Sequence, residues 1–186
     1  MLQEDPDLNK AVLNLNGYIT KKDFINHNRY HFKKFQRIMF GILFILFIGI
    51  NLYYLRDVEE SIGVKGFLLF FGILISFIIT SLLILWAKLV NRIRAGKEYT
   101  SDQLIKNEIF LTISPEEIQQ KIRKSVSYFQ WSDILSVHEQ KDMFRLYISS
   151  NKAILIPKTF FKSQDEIEQL RSLIKETMSK EKIKFS

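Results

Sequence analysis

The side chains in this 186-residue chain that could do chemistry are few, and their spacing works against each use. His27 and His31 lie four apart, so on a helix both imidazoles could face one metal ion. HNRYH lacks the glutamate of a zincin motif, however, and the cationic neighbours Arg29, Lys33 and Lys34 would oppose a bound cation. His138 and Glu139 form the nearest approach to an acid-base pair, but adjacent side chains of a strand point to opposite faces. There is no cysteine, which excludes a disulfide framework, thiolate metal sites and a cysteine nucleophile. No glycine follows Gly96, which removes a phosphate-cradling loop from the last 90 residues. The expectation is a non-enzymatic protein without catalytic, cofactor-binding or metal-ligating residues.

The elements that would position any function are two apolar runs. Residues 38–55 and 66–87 hold no acidic or basic side chain. As helices they would be about 27 and about 33 Å long, against a bilayer hydrocarbon core of about 30 Å. The ten residues 56–65 between them are too few for a folded domain, so a tight antiparallel hairpin with a short outside loop is predicted. Acidic and basic side chains, which mark ion and proton pathways, are missing from both runs, and only Asn51 adds an amide. Transport by the monomer is therefore not expected.

The net charge of +7 would suit a nucleic-acid partner if it were spread over a folded domain, and it is not. Residues 21–37 carry Lys21, Lys22, Arg29, Lys33, Lys34 and Arg37 against Asp23, and residues 88–97 carry Lys88, Arg92, Arg94 and Lys97 against nothing. Residues 98–186 hold 14 basic and 13 acidic side chains. The surplus thus flanks the apolar runs on one side, and the positive-inside rule puts both termini of a multi-pass membrane protein in the cytoplasm. A nucleic-acid partner is not expected. Lys33, Lys34, Arg37, Lys88, Arg92 and Arg94 are the predicted contacts with membrane lipids at the interface. The first run starts 38 residues in and NLYYLRD after it lacks a small-residue cleavage site, so it is expected to stay in the mature protein.

Local signals fill in the rest. MLQEDPDLN is polar and expected to fray, KAVLNLNGYIT reads as a short strand with Asn16-Gly17 as a turn signal, and Thr20 with Asp23 has capping-box spacing. A helix beginning there is expected to run into the first span. Gly41, Ile45 and Gly49 on the first span and Gly72, Ser76 and Thr80 on the second form small-residue stripes, predicted either to face each other or to pair two copies of the chain through the spans. Tyr53, Tyr54 and Trp86 sit at span ends, as aromatic belts do.

Beyond residue 98 the periodicity falls to two. NEIFLTIS, EEIQQKIRKSVSYFQW, DILSVHEQ, MFRLYIS and AILIP read as five or six antiparallel strands with local connections, Ser114-Pro115-Glu116 as a turn. Ser163 and Glu166 open a helix whose stripe is Ile167, Leu170, Leu173, Ile174 and Met178. The predicted fold is α+β: residues 1–37 as a cytoplasmic strand and basic juxtamembrane helix, 38–97 as the hairpin with its basic inner flank, and 98–186 as an antiparallel pleckstrin-homology-like β-barrel closed by a C-terminal helix.

GYITKKDFINHNRYHF (17–32), two spans, FQWSDI (129–134) and AILIPKTFF (153–161), in that order, resemble the YcxB-like membrane proteins of bacteria. The resemblance implies a cytoplasmic C-terminal domain related to bacterial pleckstrin-homology domains and implies no established activity. Trp131 suits a barrel end with its indole N–H bonded, Asp133 a turn, and Pro157, Lys158, Phe160 and Phe161 the lead into the closing helix. The functional alternative makes Trp131, Asp133, Lys158 and Phe160 a ligand surface. Two roles follow as expectations: a membrane-anchored adaptor or regulator that binds an unknown cytoplasmic or membrane protein, with lipid as a further ligand, and, by analogy with small membrane proteins of toxin clusters, bacteriocin or toxin immunity.

Overall fold

A computed structural model describes residues 12–150 and 152–185. The polar segment 1–9, the first two residues of the expected N-terminal strand, Asn151 and Ser186 lie outside them. The chain divides into two compact units: one joins the segment up to Asp23 to Tyr99 and all that follows, and the other is Phe24–Glu98.

The helical unit is built from α1 (Lys21–Arg56) and α2 (Ile62–Ser101), each running past its apolar core. The capping box at the start of α1 closes as its spacing predicts: the Asp23 amide donates to Thr20 Oγ1 at 3.1 Å, and the Thr20 amide donates to Asp23 Oδ2 at 3.0 Å. No residue from 21 to 56 breaks the helix, so basic segment and apolar run are one element. Ser61 ends the connector and accepts from the Val64 amide, and α2 begins inside the segment expected as loop. Both helices are long and apolar enough to cross a membrane.

The small-residue stripes do not face each other. Gly72, Ser76 and Thr80 are buried in the unit, and Asn51 of α1 presses against the first two: its Nδ2 donates to Ser76 Oγ at 3.0 Å and to its own helix at Phe47 O, while Ser76 Oγ donates to Gly72 O at 2.7 Å. Phe40 and Phe44 meet Phe77 edge-on, with centroids 5.9 and 6.1 Å apart. Gly41 and Gly49 instead have nothing within 4 Å of where a Cβ would lie, and Ile45 is exposed. The face of α1 that packs is thus the phenylalanine and asparagine row, about a third of a turn away from its glycines. One bulky row against one small row brings the axes together, so a second small row has nothing to fill.

The α+β unit has two sheets. In the first, β1 (Leu13–Gly17), β2 (Ile109–Ile113), β3 (Glu117–Ile122) and β4 (Ser125–Gln130) lie in the order β1-β2-β3-β4, all antiparallel. The second has the order β7-β6-β5-β8, from β5 (Ser136–Glu139), β6 (Met143–Tyr147), β7 (Ala153–Pro157) and β8 (Ile183–Lys184). Its ladders are antiparallel except for the short parallel pair β5–β8. α3 (Gln164–Thr177) lies between β7 and β8 in the chain, and its stripe Ile167, Leu170, Leu173 and Ile174 is buried.

Three expectations change here. The sheets do not close into a barrel among the described strands: a 3-10 turn at Trp131–Asp133 separates β4 from β5, and β8 occupies the free edge of β5. The long segment EEIQQKIRKSVSYFQW, among those read as five or six strands, folds at Arg123-Lys124 into β3 and β4, with Arg123 at φ 54°, where glycine is the usual residue, and its Nε donating to Asn107 Oδ1 at 2.7 Å. Asn16-Gly17 is strand, not turn, and β1 pairs with β2, Leu13 opposite Ile113 and Gly17 opposite Ile109. Residues 1–37 are therefore not one segment apart from 98–186: β1 is a strand of the C-terminal unit, and the helical unit is an insertion in its β1–β2 connection.

Candidate functional site

The four residues of the predicted ligand surface separate by burial. Trp131 is buried and its Nε1 donates to Ser114 O at 2.9 Å, tying the 3-10 turn to the β2–β3 turn. Ser114 Oγ accepts from the amides of Glu116 and Glu117, so the Ser-Pro-Glu turn is fixed locally before Trp131 reaches it. Asp133 is exposed, and its Oδ2 accepts from the Gln130 amide at 2.9 Å. Phe160 is buried, and a Cβ at Gly17 would fall 2.5 Å from its ring. The GYIT segment and the PKTFF segment, 140 residues apart, thus meet ring on backbone, because only glycine leaves room for that ring.

Lys158 belongs to a cluster that spacing did not reveal. Glu139 is buried at the end of β5, and its carboxylate accepts from Lys158 Nζ at 2.6 Å and from Arg171 Nε at 2.9 Å, with Arg171 Nη2 on the same carboxylate. Arg171 Nη1 also reaches Glu168, one turn back on α3, and Lys158 Nζ stands 5.5 Å from the Phe144 ring centre. Burial pushes the Glu139 carboxyl up, but the hydrogen bonds and charges of Arg171 and Lys158 outweigh it and hold the group below its usual range. Glu139 raises the Arg171 guanidinium in return. His138 points the other way, its ring 4.8 Å from that of Tyr147, as the alternation of a strand requires. A charge at an inward strand position, two residues after Val137, was the available signal for this cluster. Its geometry suits a clamp joining β5, the β7–α3 turn and α3 rather than proton transfer.

Two surfaces remain open. On the first sheet, β4 has a partner on one side only, and Ser125, Val126, Ser127 and Tyr128 are all exposed. The register aligns Asn16, Phe110, Lys121 and Val126 in one outward row and Asn14, Thr112, Gln119 and Tyr128 in the next. On the helical unit, Lys33, Lys34, Arg37, Lys88, Arg92 and Arg94 are exposed, and among the described residues none is in an ion pair. Among the described residues no group of three histidines, cysteines or carboxylates could hold a metal ion.

Two long apolar helices set into an α+β unit of two small sheets define a class: a domain that carries its own candidate membrane hairpin within its first strand connection. Residues 113–174 match the model of the YcxB-like protein family. The chain is also 28% identical over 175 residues, 93% of each chain, to the uncharacterized protein YcxB of Bacillus subtilis (strain 168). Residues 113–174 thus resemble the YcxB-like family, and the similarity to YcxB runs through both helices. The family match begins within β2, so the strand that completes its sheet, β1, lies far outside the matched residues.

Proposed function

We propose that this chain is a non-enzymatic adaptor of the bacterial cytoplasmic membrane, with both termini cytoplasmic and a pleckstrin-homology-like unit that binds another protein along β4. The strand sequence supports the domain reading: a four-stranded meander, a three-stranded meander and a C-terminal helix. The β1–β2 pairing supports the topology, because strands of one sheet lie on one side of a membrane and the two helices between them must then cross it an even number of times. The basic flanks select the cytoplasmic side.

The observation that carries the binding role is the β4 edge. SVSYFQ has no charge, proline or glycine to block pairing; within it Val126 and Tyr128 are 39% and 60% exposed, and Phe110, two strands away in the row of Val126, is 45% exposed. Such an edge can accept an extended segment of a partner as a further strand, with main-chain hydrogen bonds giving affinity. Anchoring raises the effective concentration toward membrane partners, so a modest surface suffices. The non-enzymatic reading is supported by Glu139, the buried carboxylate among the described residues, which is neutralised by two cations rather than poised for proton transfer.

A photoreactive residue at Tyr128 in the full chain, activated in cells, tests this. A discrete adduct that disappears on Val126→Lys is expected; an adduct pattern unchanged by that substitution, or none above a scrambled β4, would overturn it.

A further inference from the structure

The helical unit places its exposed cations and its exposed apolar side chains on the same turns. Lys33, Lys34 and Arg37 precede the run 38–55 and Lys88, Arg92 and Arg94 follow the run 66–87, so in a hairpin both groups stand at one end. Each of the six lies within about 10 Å of the end of its apolar run at the helical rise per residue. That is where the headgroup layer begins if the runs fill the hydrocarbon core.

Between the cations the surface stays apolar. Phe35 and Ile38 flank Lys34 and Arg37, and Trp86, Leu89, Val90 and Ile93 alternate with Lys88, Arg92 and Arg94; Phe35 is 56% exposed and Trp86 66%. Phe32 and Phe35 pack ring edge to ring face, with centroids 5.8 Å apart. A soluble polyanion would be met by cations on a polar surface. Cations sharing a turn with uncovered rings and aliphatic chains fit a ligand with a phosphate and acyl chains, the long basic side chains laying their stems along apolar surface and their heads on the phosphate.

We infer that these six side chains form a collar that binds the phosphates of anionic phospholipids in the cytoplasmic leaflet. The collar rests on the membrane-spanning reading given above. It does more than set orientation: it selects the lipids around the hairpin, and each cation near an anionic surface contributes enough for roughly a fivefold preference.

Full-length protein in lipid nanodiscs of phosphatidylcholine with one quarter phosphatidylglycerol tests it, by mass spectrometry of the lipids that leave the disc with the protein. The phosphatidylglycerol-to-phosphatidylcholine ratio of these lipids is expected to be about fivefold that of the disc, the exchange preference for one cationic contact. The enrichment should vanish in K33Q/K34Q/R37Q/K88Q/R92Q/R94Q and in high salt, and persist in K21Q/K22Q. If the sixfold variant fails to insert, the two threefold variants are compared, each expected to lose part of the enrichment. Retention at the bulk ratio by the unmodified chain, full enrichment in the variants, or displacement of the lipid by RNA would overturn the collar. Carbonate extraction of membranes, done first, separates this from failure of the membrane reading, which would release the protein into the wash and overturn both.

Discussion

Each unit buries a hydrogen-bonded polar cluster, and these two clusters differ in kind. In the helical unit it is neutral: Asn51, Ser76 and the Gly72 carbonyl share hydrogen bonds without a charge. In the α+β unit it is ionic, one carboxylate under two cations, with Lys158 and Arg171 each keeping 23% of the side chain exposed. An ion pair is tolerable where its cations still reach water, because only part of their hydration is given up. A hairpin with apolar surface outside has no such outlet, and a small amide and hydroxyl satisfy each other without a net charge.

The comparison breaks most sharply at Glu139. Glu139→Gln leaves two cations facing an uncharged partner and is expected to lower the stability of the α+β unit by about 3 kcal/mol, the low end for a broken buried pair. Urea unfolding of the full chain in detergent, followed by near-ultraviolet circular dichroism, measures it. Because the folded-state carboxyl is held below its usual range, the contribution is complete above the unfolded value of about 4.3 and is lost as pH falls through the folded value. The gap between the unmodified chain and Glu139→Gln should therefore narrow below about pH 4; a gap independent of pH would mean that shape, not charge, holds the clamp.

Gly17→Ala comes next. Its Cβ would overlap the Phe160 ring, so a loss of about 2 kcal/mol is expected from overpacking, recovered in part by adding Phe160→Leu. The smallest effect sharpens the hairpin side. Gly72→Ala puts a Cβ 2.4 Å from Asn51 Oδ1 and should cost about 1 kcal/mol in a steric-trap unfolding assay, the scale of polar contacts between membrane helices. Gly49→Ala, with open space around it, should leave stability unchanged.

Much of this architecture is legible in the residues because it is local. Charge-free runs of span length, two capping signals and the Ser-Pro-Glu turn need only neighbours within a few positions. The Ser163 cap shows the limit of that reading: Glu166 donates to Ser163 Oγ as spaced, but its own carboxylate accepts from Lys162 instead of Ser163. What was not legible depends on distant partners. β1 pairs with β2 across the whole hairpin, and no periodicity within a window reports that. The Gly41–Gly49 stripe has the same spacing as Gly72–Ser76–Thr80, and only the packed pair decides which is used. The β3–β4 turn was hidden because Arg123 takes a conformation that sequence reading assigns to glycine. Among the four residues of the predicted ligand surface, Trp131 and Phe160 were marked by type and spacing, yet aromatic rings in motifs serve cores as readily as ligands, and burial decides between them.

The central claim is that the hairpin interrupts one domain between two paired strands. The chain has no cysteine, so Asn14→Cys with Thr112→Cys introduces the sole thiols, at positions that pair directly and whose side chains are 3.0 Å apart. Mild oxidation of this variant in intact membranes is predicted to give an intramolecular disulfide, while Asn14→Cys with Gln130→Cys, three strands away, gives none. Equal crosslinking of both pairs, or no crosslinking of Asn14→Cys with Thr112→Cys, would contradict the account.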